Sequence, residues 1–179
     1  MANGVWTNNW QALKNTMLLA GIYPGLNSII DISGTAVSAS TNTYLASPPL
    51  GPVFTSGNNN NTSFSIRLGT GTNPAAASDY TLAESANVNY LSTGSSIATF
   101  DDVTGTMSRT YTVTAQYVGA GTITLTEWGI YGKVWYRAAN TNYAQAMVYR
   151  ELFDTPIVLT QYQAAALEVN LSMVMSHPV

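Results

Sequence analysis

The chain has 179 residues, with six Lys or Arg against nine Asp or Glu, so its net charge is −3 and charged side chains make up only 8% of it. Soluble domains ordinarily carry about a quarter. Thr, Ser, Asn, Gln and Tyr must therefore supply the polarity, while 46% hydrophobic residues exclude a wholly disordered chain. No Cys is present, which excludes disulfides, thiolate chemistry and Cys-built zinc or iron–sulfur sites.

A surface so poor in charge does little to keep copies apart, and it tolerates close packing against a neighbour. It suits a component of an assembly; the other reading is a neutral extracellular or acid-tolerant surface. The basic residues Lys14, Arg67, Arg109, Lys133, Arg137 and Arg150 are scattered. They form no clustered phosphate-neutralising patch, so direct nucleic-acid binding is not predicted. The N-terminal residues lack the basic-then-apolar plan of a secretory signal, and the apolar stretch 17–22 is too short to span a bilayer. The expectation is synthesis and assembly in the cytoplasm of the producing cell, without membrane insertion.

In chain order, residues 9–19 are the helical candidate, with Trp10, Leu13 and Met17 at i, i+3 and i+7 and a stop at Gly21 and Pro24-Gly25. With Trp6, this helix is either a docking arm or an element packed on its own domain. A short strand is expected over 29–33. Pro48, Pro49 and Pro52 then forbid a central strand, and 57–61 (GNNNN) reads as a polar turn.

Strand grammar begins at 63–69, where Phe64, Ile66 and Leu68 alternate with Ser65 and Arg67. A turn-rich stretch runs from 69 to 82, and short strands are expected over 86–91 and 96–100. The strongest alternation places Tyr111, Val113, Ala115 and Tyr117 opposite Thr110, Thr112, Thr114 and Gln116. A turn at 119–121 returns the chain through Ile123 and Leu125. The phase then changes near Glu127-Trp128, as a β-bulge or edge twist would make it do. Residues 144–153 are a further strand, with a break at 154–156. Strand, short turn and a final strand follow, the last alternating Leu167, Val169, Leu171 and Met173 with Glu168, Asn170 and Ser172.

This pattern predicts an all-β chain, a β-sandwich or jelly roll with an N-terminal helical or extended arm. Residues 1–61 form the arm and extended segment, and 62–179 the β-sandwich domain.

Residues for catalysis are scarce. The single His, His177, is two positions from the end, where chains fray, so it is a poor base or ligand. Asp101, Asp102, Glu127 and Glu151 are the carboxylates that could serve hydrolysis. Asp101-Asp102 fits an inter-strand turn, and Glu127 and Glu151 fit pairing with Arg109, Lys133, Arg137 or Arg150. The run RLGTGTN at 67–73 lacks both phosphate-loop patterns, and its glycines are expected to serve positive-φ turns. No catalytic residue, metal site or cofactor is predicted.

Eleven Tyr and four Trp offer apolar area with a polar handle. Trp128 and Tyr131 fit a core. Trp6, Trp10, Trp135 and Tyr136 are the candidate interface residues, and an exposed strip at Trp135 and Tyr136 would alternatively suit a sugar. Sequons at Asn60, Asn61 and Asn170 matter only in a glycosylating pathway.

Three phrases taken together resemble small β-rich structural proteins of tailed bacteriophages: IRLGTGTNPAAASDYTL, TYTVTAQYVGAGTITLTEWGIYG and AMVYRELFDTPIVLTQYQAAALEVNLSM. Within them, Thr126–Ile130 gives a TE(hydrophobic)G(hydrophobic) phrase and Arg150–Leu159 an R-x-x-F-x-x-P-I/V-x-L phrase. The likeness covers roughly the last two-thirds of the chain. It implies a non-enzymatic virion component of capsid, neck, tail or fibre, present in multiple copies beside other virion proteins, and it carries over no catalytic residue. A carbohydrate-binding or host-adhesion module, contacting a host surface glycan, is the alternative.

Overall fold

The computed structural model describes residues 4–19, 28–38, 64–95, 99–135 and 143–174. The chain is all-β, with antiparallel sheets and one short helix. Its elements are β1 (Val5–Trp6), α1 (Asn8–Leu19), β2 (Ser28–Ile30), β3 (Ala36–Ser38), β4 (Phe64–Gly69), β5 (Val88–Ser95), β6 (Thr99–Asp101), β7 (Thr106–Tyr117), β8 (Thr122–Trp135), β9 (Tyr143–Thr160) and β10 (Ala164–Val174). They group into two compact units. One comprises Met1–Ala86 with Ile123–Val158, the other Asn87–Thr122 with Leu159–Val179.

The first unit holds a four-stranded sheet in the order β1-β9-β8-β4. Strand β4 pairs with β8 without a break, from Gly69↔Glu127 to Phe64↔Gly132. The expected one-faced reading of β4 and β8 gives way here to burial on both faces. Ser65 is buried beside Ile66, and Glu127, Trp128, Ile130 and Tyr131 are buried in succession. Both faces are thus covered at Glu127-Trp128, where the ladder with β4 runs without a bulge. Arg67, expected to face solvent, lies over the Tyr131 ring at 4.7 Å and bonds the Gln145 side chain. Tyr131 packs with Leu82 and Met147 at the core, and its hydroxyl accepts a 2.9 Å bond from the Leu82 amide.

The N-terminal residues pack into this same unit. Val5 and Trp6 pair with Arg150 and Tyr149 of β9, which makes β1 an edge strand of the sheet. Helix α1 buries Leu13. Asn9, also buried, joins three elements: its amide donates to the carbonyls of Ile30 and Met147 at 2.8 and 3.1 Å, and its Oδ1 accepts from the Ile30 amide at 2.8 Å. Residues 5–13 thus take the packed course of the two foreseen for them. The strand expected over 29–33 stops at Ile30, because Asp31 Oδ1 accepts from the Ser33 and Thr35 amides and closes a turn between β2 and β3.

Strand β9 runs through the break expected at 154–156. Proline fits an extended backbone wherever its missing N–H is not needed for a ladder, and Pro156 is solvent-exposed.

The second unit holds a sheet in the order β10-β7-β5, with β6 also paired to β7. Alternation sets its two faces apart. Tyr111, Val113, Ala115 and Val169 are buried on one, while Glu168, Asn170 and Ser172 are exposed on the other. Strand β10 meets β7 in eleven consecutive pairs, whereas β5 shifts register between Tyr90 and Ser92. Asp101 caps the β6–β7 turn as expected, accepting from the Val103 amide at 2.9 Å and the Thr104 hydroxyl at 2.7 Å. Those bonds, the Thr104 hydroxyl first, hold its carboxyl below the usual range. The stretches 39–63 and 136–142 and the tail 175–179 lie outside the described residues, and with them Pro48, Pro49, Pro52, the Asn-rich run, Tyr136 and His177.

Candidate functional site: a buried carboxylate clasp and an aromatic edge

Glu127 is wholly buried in β8. A carboxylate there is tolerable only if donors replace its water. Its Oε1 accepts from the amides of Gly71 (3.1 Å) and Glu84 (2.9 Å). Its Oε2 accepts from Arg150 Nε at 2.6 Å and from the Ala83 amide at 3.3 Å.

Arg150, equally buried on β9, directs its other nitrogens into the same loop. Nη1 donates to Asp79 Oδ2 (2.6 Å) and the Pro74 carbonyl (3.3 Å), and Nη2 to the Asn73 carbonyl (2.9 Å). Burial works against the guanidinium charge, but the bonds and charges of Asp79 and Glu127 outweigh it and hold its pKa above the ordinary value. Asp79 Oδ2 also accepts from the Ala76 amide at 2.8 Å. Of the pairings foreseen for Glu127, the one with Arg150 forms. Glu151 instead accepts the Tyr149 hydroxyl at 2.7 Å.

The glycines of the 67–73 run serve this carboxylate, and not the positive-φ turns expected of them. A Cβ on Gly69 would lie 2.5 Å from both Glu127 Oε1 and the Glu84 carbonyl oxygen, and one on Gly71 would lie 2.5 Å from Glu127 Oε1 and from Ala83 Cβ. Positive φ among described glycines falls at Gly34, Gly105 and Gly121. The clasp therefore fixes the 69–86 loop against β8 and β9. As folded, Glu127 has both oxygens engaged and no exposed surface to offer a solute.

The second feature lies on the β1 edge. Trp6 has ring centroids 4.9 Å from Trp10 and 5.0 Å from Tyr149, and Tyr149 is 5.2 Å from Trp128. Trp128 is core, as its sequence context suggested, whereas Trp6 stays 42% exposed. Burial, and then the Glu151 carboxylate, push the Tyr149 hydroxyl far above the ordinary tyrosine range. The structure thus brings Trp6 and Trp10 together. The Trp135 side chain and Tyr136 lie outside the described residues. Tyr149 was missed in the sequence because its place opposite Trp6 depends on a pairing across most of the chain.

Among the described residues no group of three or more His, Cys, Asp or Glu is placed to hold a metal ion, and no helix is long and apolar enough to cross a membrane. A scan against protein-family models and searches of curated proteins and of solved structures each gave no match.

Proposed function

We propose that this chain is a non-enzymatic structural protein of a bacteriophage virion, working in multiple copies through contacts with itself and with neighbouring virion proteins. The observation that carries the reading is where the three resembling phrases meet. Gly71, Asn73, Pro74 and Asp79 come from the first, Glu127 from the second and Arg150 from the third, and together they build the clasp. The three phrases thus meet in one physical device, a loop tied to two strands, and that meeting supports the reading. That device stiffens a β scaffold, and the acidic residue best placed in the core is used for it.

Assembly then draws on what the scaffold leaves outside. Trp6 is a large, half-exposed side chain on an edge strand, backed by Trp10 and Tyr149. Rigid aromatic area of this kind loses little entropy on burial and anchors protein contacts. Scarcity of charge removes the repulsion that would oppose close packing.

The test is the absolute mass of the full chain by light scattering over a concentration series, with and without Trp6→Ala. A discrete oligomer is expected, shifted toward smaller species by Trp6→Ala while far-ultraviolet circular dichroism stays unchanged. A monomer at every concentration would remove self-assembly. Saturable glycan binding abolished by Trp6→Ala, with mass unaltered, would favour the adhesion reading instead, since an exposed Trp face also stacks on sugars.

A further inference from the structure

We infer that β10 is a self-pairing edge: two copies join their β10 strands antiparallel about a two-fold axis at Val169, extending one sheet into the other. This rests on the proposed multi-copy role and adds a second contact surface to the Trp6 edge. Strand β10 has β7 on one side, and among the described residues no strand pairs with its other side. An open edge presents a row of backbone donors and acceptors, and proteins usually blunt it with proline, bulges, charge or shortness. Strand β10 has none of these defences beyond one charge. It is eleven residues long, its ladder with β7 is unbroken, it contains no proline, and Glu168 is its only charged residue. The opposite side of the sheet is different: β5 is interrupted by its register shift.

The second copy is chosen as occupant because β10 complements itself. Asn170 Oδ1 accepts a 2.5 Å bond from the Thr110 hydroxyl on β7, which leaves its exposed amide N–H groups turned to donate elsewhere. Glu168, two residues away on the same exposed face, is a carboxylate needing donors. Centring the two-fold at Val169 sets each Glu168 opposite Asn170 of the second copy, twice over by symmetry. The same centre places Leu167 opposite Leu171 on the other face and overlaps the strands along their full length. A centre at Glu168 would oppose two carboxylates, and one at Asn170 would oppose two sets of amide donors.

The chain has no Cys, so engineered thiols report without background. In this register Ala166, exposed, lies opposite Ser172, also exposed. Full-length Ala166→Cys and Ser172→Cys chains, mixed and treated with a short bis-thiol linker, should give a covalent dimer. Neither alone should do so efficiently. Asn170→Glu, which opposes like charges at two positions, should weaken self-association about tenfold. Adding Glu168→Lys to that variant should restore it, which shows that the chain still folds. An oligomer by light scattering that gives no mixed cross-link and ignores the charge swap would overturn the β10 edge and leave the assembly reading standing. A monomer at all concentrations would overturn both.

Discussion

Glu127 and Arg150 illustrate how a single buried charge organises distant sequence. Each is buried and each has further partners, three backbone amides for Glu127 and the Asp79 carboxylate for Arg150. Removing Arg150 leaves the Glu127 charge in the core without its cation, at a cost of about 3–5 kcal/mol, whereas removing Glu127 leaves Arg150 still paired with Asp79 and costs less. Urea unfolding should show a loss of this order for Arg150→Ala and a smaller one for Glu127→Ala. The double variant should lose much less than the sum, because it no longer buries an orphan charge. Strict additivity would mean that the two groups are held independently of one another. The sequence made this pair legible in outline: Glu127 sits in a strand where a lone carboxylate is out of place, and arginines were available. It could not show the loop amides that complete the shell, because backbone donors carry no residue identity.

At the level of elements, strong period-two alternation made β7 and β10 readable, because each has one face buried and the other outward. Strands β4 and β8 were found, but their environment was misread. A strand covered on both faces need not alternate, so the burial of Glu127 beside Trp128 looked like a slip of phase, and Ser65 was assigned to the outer face. The same loss of context affected the glycines, whose need arises from close approach of Glu127, a partner in another strand. Two glycines separate these roles. Gly71→Ala forces its Cβ against Glu127 and Ala83 and should destabilise by about 1–3 kcal/mol. Gly94, in β5, has nothing within 4 Å of an added Cβ. Gly94→Ala should therefore be neutral or gain about 0.4–1 kcal/mol by restricting the unfolded chain. Thermal unfolding of the pair measures both, and an equal loss in each would deny the Gly71 contact its special standing. Pairing partners such as Trp6 and Tyr149 stayed hidden because local pattern says which face is buried but not against what.

For the molecule as a whole, few ionisable groups exist to shape stability, so tyrosines dominate the alkaline side. Tyr149 is protonated more tightly in the folded state than in the unfolded one, through burial and then through Glu151. Tyr131 and Tyr111 are shifted the same way, in each case chiefly by burial. A raised folded pKa contributes stability that is complete below the ordinary tyrosine pKa of 10.0 and is lost as pH rises through the folded value. Stability should therefore fall steeply above about pH 10. Tyr149→Phe should make that fall shallower, as read from urea midpoints between neutral and alkaline pH. An unchanged slope would show that Tyr149 ionises as it would in the unfolded chain.

The hydrogen bond from the Thr7 hydroxyl to the Met147 carbonyl closes a loop of 140 positions. On a ribosome adding about 5–20 residues per second, the beginning of the chain must wait roughly 7–28 s before its partner strand exists. Throughout that interval Trp6 and Trp10 are without the Tyr149 ring against which Trp6 finally rests. Closure this late and this long-range is slow in its own right, because the entropy of joining the ends must be met before any contact compensates it. Nascent chains crowded on one message would thus expose the same sticky aromatics side by side, so expression slowed by low temperature should give a higher yield of native protein than fast, hot synthesis.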